Sequence, residues 1–302
     1  MTDTKPSAND WALLFLLSLI WGGSFMFTGM AVKELPALLI VFARVGLAAL
    51  ILIPVHLLVQ GALPRDLKTW FAAGCMSVLN NVMPFTAIAW GQHFIGAGLA
   101  SVINATTPMF AALLMALFGL EGLNLRKGLA LSLGLIGVLV LTGGGFGDLG
   151  AQTLGILAVT FASCCYGLST VWAKKMLVGI PPMTIATCQL TVSGLMMAVL
   201  AFGFSEPALY AKASFATWQA LIALAALSSA VAYLIFFRII AKAGPSFVTL
   251  VTMLVPLSAI VLGILVLGES LSLHEALGAT IIIAALAIID GRVLRMFQAQ
   301  PI

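Results

Sequence analysis

Apolar residues run along this chain in stretches of about twenty, separated by short breaks of charged residues, glycine and proline. Ten such stretches are legible, at residues 11–30, 37–59, 69–92, 97–120, 127–144, 152–174, 183–204, 215–239, 246–267 and 273–291. The separators carry turn formers: Lys33-Glu34-Leu35-Pro36, Gly61-Ala62-Leu63-Pro64, Gly143 to Gly150, Pro181-Pro182, Glu206-Pro207 and Gly244-Pro245. Each stretch is long enough for a helix to cross the hydrocarbon of a bilayer, which takes roughly 20 residues. The pattern predicts an all-α integral membrane protein of about ten transmembrane helices.

Composition leaves no soluble alternative. Of 302 residues, 62% are hydrophobic and 8% charged, against about 25% charged in a soluble domain. So few charges cannot cover a water-facing surface. The basic residues test the helix count independently. With the N-terminus in the cytoplasm, the cytoplasmic side holds Lys5, Arg65, Lys68, Arg126, Lys127, Lys174, Lys175, Arg238, Lys242, Arg292 and Arg295, the far side only Lys33 and Lys212. This positive-inside bias emerges only when the helix number is right, and it puts both termini in the cytoplasm. The first ten residues are polar and no small-residue cleavage pattern follows, so the first apolar stretch reads as a retained helix. Cys75, Cys164, Cys165 and Cys188 lie in apolar stretches and read as reduced thiols, while His56, His93 and His274 are scattered. No metal or cofactor is expected.

The chain repeats itself. A shift of 148 positions lays Trp70 on Trp218, Gly96 on Gly244, Pro108 on Pro256, Glu121 on Glu269, Leu123 on Leu271 and Gly143 on Gly291. A shift of 145 lays Gly22 on Gly167, Ser24 on Ser169 and Pro36 on Pro181, with Trp21 on Tyr166. The halves are taken as 1–147 and 148–302. Five helices per half is odd, so the second half enters the membrane from the opposite side. Inverted repeats of this kind recur in secondary transporters, whose binding site lies at the midplane between halves.

Three segments carry a family resemblance: Trp21-Gly22-Gly23-Ser24-Phe25, Thr107-Pro108 through Gly119-Leu120-Glu121, and Val255-Pro256 through Gly268-Glu269-Ser270. Across both halves the sequence resembles the ten-helix EamA branch of the drug/metabolite transporter superfamily, and within it aromatic amino acid exporters of the YddG type. The resemblance implies a bacterial inner-membrane carrier, monomeric, that exports metabolites such as amino acids through a central cavity.

Where the chemistry lies follows from the placement of polar residues. The ten carboxylates, Glu121 and Glu269 among them, fall in tails, loops or helix ends, whereas proton relays use ionisable groups inside the membrane. Export without a buried carboxylate is therefore expected, with coupling through Glu121 or Glu269 as the alternative. Arg44 is the ionisable residue set well inside a helix, about 12 Å from its outer end. It either meets a substrate carboxylate, or snorkels and ties backbone carbonyls; Gln189 is its counterpart in the repeat. Asn80 and Asn81 align with Ser228 and Ser229, and Asn104 and Thr107 with Thr252 and Val255. Pro108 and Pro256 are expected to kink their helices and to free the carbonyls of Asn104 and Thr252. These residues are the candidate substrate cavity; interhelical hydrogen bonding is the plainer role for each. Trp21, Tyr166, Tyr233, Phe85, Trp90 and Trp172 are candidates for its aromatic walls. Such a lining suits zwitterions and hydrophobic amino acids, and not phosphorylated solutes, which require several Lys or Arg.

Gly145-Phe146-Gly147-Asp148 and the nominal G-x-G-x-x-G ending at Gly150 join two membrane helices, so neither an intramembrane aspartyl protease nor a dinucleotide site is supported. Tyr166, Tyr210 and Tyr233 are not followed by Asp, and no H-E-x-x-H or G-x-S-x-G occurs. The expected partners are a small-molecule substrate and the lipid bilayer, with no nucleic acid. A proton-coupled exporter of other drugs or metabolites, a membrane enzyme and a receptor-like binding protein are the alternatives to an amino acid exporter.

Overall fold

The computed structural model describes residues 7–143 and 150–290. Its spans are α1 (Ala8–Ala31), α2 (Ala37–Val59), α3 (Leu67–Gly91), α4 (Ala97–Leu117), α5 (Leu125–Leu141), α6 (Ala151–Met176), α7 (Pro182–Phe204), α8 (Phe215–Ile240), α9 (Val251–Leu267) and α10 (Leu273–Asp290). Eight of the described helices are long and apolar enough to cross a membrane, and α5 and α9, at 17 residues each, are shorter. Side chains such as Phe15, Leu19, Leu50, Val199, Phe202 and Leu265 are exposed on the outside of the bundle. An outer surface of that kind faces lipid.

Helix starts follow local chemistry. Ser7 and Asp10 form a reciprocal capping box on α1. Asp66 accepts from Thr69 N at 2.7 Å, Asn124 from Lys127 N at 2.9 Å and Ser214 from Thr217 N at 3.3 Å, which caps α3, α5 and α8.

Two spans depart from the expected boundaries. The fourth breaks at Ala105–Thr106 into Ala97–Asn104 and Thr107–Leu117, with Pro108 in the first turn of the second piece. The ninth, expected over 246–267, is a four-residue turn Pro245–Val248 followed after Thr249–Leu250 by Val251–Leu267. The helix runs on through Pro256. At the start of this helix the winding is tighter, with Thr252 N on Thr249 O and Met253 N on Leu250 O, both at 3.1 Å.

Packing repeats the internal symmetry. Span α1 lies along α9 as α6 lies along α4, α8 touches α1 and α2 as α3 touches α6 and α7, and two pairs of equivalents, α2 with α7 and α5 with α10, meet each other. Glycine sets the close approaches. A Cβ at Gly22 would stand 2.9 Å from Ala259 N, and one at Gly167 would stand 2.9 Å from Phe110 C and from Ala111 N. Those contacts are equivalent, since positions 110 and 111 shifted by 148 are 258 and 259. Small residues at such crossings are what membrane helices use to approach.

Candidate functional site

A cavity of about 730 Å³ lies between the halves, within the size range of small-molecule sites. Polar residues reach it from two π-helical segments, Val78–Val82 in α3 and Ala226–Val231 in α8. They occupy matching places in the two repeats. A π-turn inserts one extra residue and re-aims the side chains after it, which is why such bulges concentrate at functional sites. Here they present Asn80, Ser228 and Ser229 to the cavity. Ser228 Oγ donates to Ile20 O at 3.2 Å, and Ser229 Oγ donates to Leu224 O, five residues back, at 3.1 Å. Asn80 Oδ1 accepts from Ser169 Oγ at 3.3 Å.

Asn104, Thr107 and Pro108 line the cavity from the break in α4, and Thr252 and Pro256 from α9. Thr107 Oγ1 donates to Asn104 O at 2.7 Å, so the carbonyl expected to be free is taken by the neighbouring hydroxyl. The free acceptor is instead Asn104 Oδ1, a buried atom without a partner. Thr252 Oγ1 donates to Thr249 O at 2.8 Å. Trp21, Tyr166, Tyr233 and Phe85 supply aromatic wall. Trp21 lies 5.5 Å from the Phe236 ring, and Tyr233 stacks on Phe237 at 5.9 Å. Trp172 and Trp90 lie elsewhere: Trp172 Nε1 donates to Ala72 O at 2.9 Å, and Trp90 packs on Phe94.

Arg44 enters from α2 and is the charged side chain among the described lining residues. Its Nε donates to Ser229 Oγ at 3.2 Å, and its guanidinium carbon sits 3.8 Å from the centre of the Phe85 ring. The ion pairs among the described residues are Glu121 with Lys127 and with Lys174, both at 3.0 Å, so no carboxylate faces Arg44. The partners shown for it are thus a side-chain hydroxyl and an aromatic ring.

Asn81 is placed outside the cavity. It is fully buried, accepts from Gln189 Nε2 at 2.8 Å and donates to Ser193 Oγ at 2.9 Å, while Ser77 Oγ donates to Gln189 O at 2.7 Å. These bonds join α3 to α7 and satisfy both ends of the Asn81 amide, so it acts as an interhelical tie. Lining residues that mid-span polarity did not single out include Thr28, Ser101 and Thr170; nothing in their apolar surroundings marked the face they occupy.

The cavity opens at one end. Leu177, Val178, Ile180, Val248 and Thr249 line it there, from the connections after α6 and α8, while no described residue of the connections 32–36, 92–96 or 268–272 does. Glu121 lies near the open end, exposed, where the Lys127 and Lys174 ammonium groups hold its carboxyl below the usual range. Gly145-Phe146-Gly147-Asp148 lies outside the described residues.

Known proteins share this architecture. A solved structure with a TM-score of 0.63 and 18% identity covers 98% of this chain and 100% of its own, which shows a common fold. The chain is 26% identical to the "Uncharacterized transporter YvbV" of Bacillus subtilis (strain 168), over 95% of this chain and 93% of the relative. It is also 26% identical to the "Uncharacterized inner membrane transporter YedA" of Escherichia coli (strain K12), over 96% and 92%. A "WAT1-related protein At3g02690, chloroplastic" of Arabidopsis thaliana is 24% identical over 88% of this chain and 67% of the relative. The profile of the EamA-like transporter family matches twice, at residues 11–143 and 153–290, once for each five-helix repeat. The chain is a multi-pass membrane transporter and belongs to the EamA-like transporter family.

Proposed function

We propose that this carrier exports small carboxylate-bearing solutes with apolar or aromatic bodies, amino acids foremost, by alternating access through the central cavity. The observation that carries this reading is Arg44, a guanidinium in the cavity with no carboxylate opposite it among the described residues. A desolvated cation without a counter-charge is costly, and a substrate carboxylate supplies one in the bidentate geometry that guanidinium favours. Trp21, Tyr166, Tyr233 and Phe85 give a solute's apolar body a surface, and Asn104 Oδ1 gives an ammonium an acceptor. One cation is too few for a phosphorylated solute, and its sign disfavours cationic drugs.

The positive-inside distribution supports an orientation with the open end, and Lys174 and Lys175 beside it, toward the cytoplasm. The cavity then stands ready for a cytoplasmic solute. The printed name of the Escherichia coli relative supports an inner-membrane location. A single chain encloses the cavity, which supports a monomer as the transporting unit. Among the described residues the lining holds no carboxylate, which favours movement down the substrate gradient over proton exchange.

Counterflow of labelled phenylalanine in liposomes tests the reading. Unlabelled phenylalanine and its deaminated acid are expected to compete, phenethylamine far less. Equal competition by the amine would overturn the carboxylate requirement, and loss of flux on collapsing a pH gradient would overturn uncoupled export.

A further inference from the structure

At the closed end of the cavity one carboxylate crosses from one repeat to the other. Glu269, in the connection after α9, accepts from Ala97 N at 2.6 Å and from Gly98 N at 3.0 Å. These are the first two amides of α4, and they have no partners within their own helix. Both carboxylate oxygens are thus engaged at the positive end of a helix dipole. Gly268, at φ 69°, turns the chain so that Glu269 points back across this seam.

The surroundings are shaped to the carboxylate. A Cβ added at Gly96 would stand 2.8 Å from Glu269 Cδ, one at Gly263 would stand 2.5 Å from its Oε2, and one at Gly98 3.3 Å from Ile260 Cα. Three positions without side chains, from both repeats, therefore make the cradle. Nearby, Gln92 Nε2 donates to Phe25 O at 3.1 Å, a tie within the first repeat at this end.

The other repeat lacks the device. Shifted by 148, Glu269 becomes Glu121, but Ala97 becomes Pro245, Gly98 becomes Ser246 and Gly263 becomes Met115. Proline has no N–H to donate, and a methionine replaces the floor. Glu121 itself is bound by Lys127 and Lys174.

We propose that Glu269 is the latch of the outer gate, and that its presence in one repeat only holds the empty carrier with its cavity open to the opposite face. Outward opening requires the Glu269 carboxylate to leave both amides, and no equal contact forms in exchange at the far end. An exporter biased in this way waits for solute on the side where solute is made. The inference rests on alternating access, but its readout needs no substrate, so its failure is distinct from failure of the carboxylate assignment.

The test uses the full chain carrying Thr28→Cys, which places a thiol deep in the cavity, with the parent and its four native cysteines as blank. A membrane-impermeant maleimide is added to right-side-out and to inside-out vesicles. Glu269→Gln is expected to raise labelling from the face of residues 92–96 by about tenfold, on the scale of losing a charge-assisted bond, and to lower labelling from the other face. Gly263→Ala, which crowds the cradle and leaves the carboxylate in place, is expected to do the same, while Glu121→Gln leaves both rates unchanged. The proposal is overturned if neither Glu269→Gln nor Gly263→Ala changes the rates. It is equally overturned if both faces label faster together, because Glu269 would then be a structural tie and not a latch.

Discussion

Arg44 Nε donates to Ser229 Oγ across α2 and α8 at 3.2 Å. The repeat supplies its counterpart, since shifts of 145 and 148 carry the pair to Gln189 and Asn81, which are bonded at 2.8 Å across α7 and α3. One contact is built twice, and only one copy carries charge, although Gln189 of the second copy also lines the cavity. Arg44→Gln therefore converts the first copy toward the second. It is expected to raise KM for a carboxylate substrate in counterflow by tenfold or more, on the scale of about 1.5–3 kcal/mol for a bond to a charged group. Arg44→Lys should recover only part, because an ammonium neither forks onto a carboxylate nor stacks as a plane on Phe85. Unchanged KM in both variants would remove Arg44 from the site.

Asn81 should behave differently from its neighbour Asn80. Asn81→Ala takes the acceptor at 2.8 Å from Gln189 Nε2 in a buried place, while Ser193 Oγ keeps its bond to Gln189 O, and is expected to destabilise by about 1–3 kcal/mol. A lower thermal midpoint in detergent with KM unchanged is the expected result. Asn80→Ala should raise KM and leave the midpoint nearly alone.

Glycine at helix crossings gives a third contrast. At Gly167 a Cβ meets the backbone of Phe110 and Ala111, which cannot swing away. Gly167→Ala is expected to cost about 1–3 kcal/mol by overpacking and to lower the yield of folded protein. Gly128, in α5, has nothing within 4 Å of an added Cβ. Gly128→Ala should be neutral or gain up to about 1 kcal/mol of helix propensity, read as an equal or higher thermal midpoint.

Glu34 makes a pH prediction. The Ser214 backbone N–H, at 2.7 Å, holds its carboxyl below the usual range, helped by the Ser214 and Thr217 hydroxyls. A group lowered in the folded state contributes stability above its unfolded pKa of about 4.3 and loses it as pH falls through the folded value. The difference in thermal midpoint between parent and Glu34→Gln should be constant from about pH 7 to 5 and shrink below about pH 4. A difference that grows on acidification would contradict the assignment.

How much of this could be seen in the residues depends on the kind of signal. Spans are legible because lipid demands long apolar runs, and the repeat because tryptophan, proline and glycine are rare enough to mark positions such as Trp70 and Trp218. Mid-span polarity likewise found Asn80, Asn104, Thr107, Ser228, Ser229 and Thr252, which the structure brings to one cavity. It did not separate Asn80 from Asn81. Adjacent helical residues point about 100° apart, and the π-turn at Val78–Val82 shifts that phase without a residue that announces it. The break at Thr249–Leu250 was hidden because neither residue is a proline or glycine that would mark it. Glu269 read as a charge at a helix end because its partners are backbone amides 171 and 172 residues away.

On the proposed alternating access, the Arg44 charge also makes the empty carrier sensitive to voltage. A cell interior is negative, and one elementary charge crossing the full field gains about 2.3 kcal/mol per 100 mV. The empty site, with its net positive charge, is drawn toward the interior. A solute whose sole charge is a carboxylate cancels that charge and turns outward against a smaller electrical load, whereas a zwitterionic amino acid leaves the net charge in place. Membrane potential and the proposed Glu269 latch then pull the unloaded transporter in the same direction, and a purely anionic solute releases it from the first of these restraints.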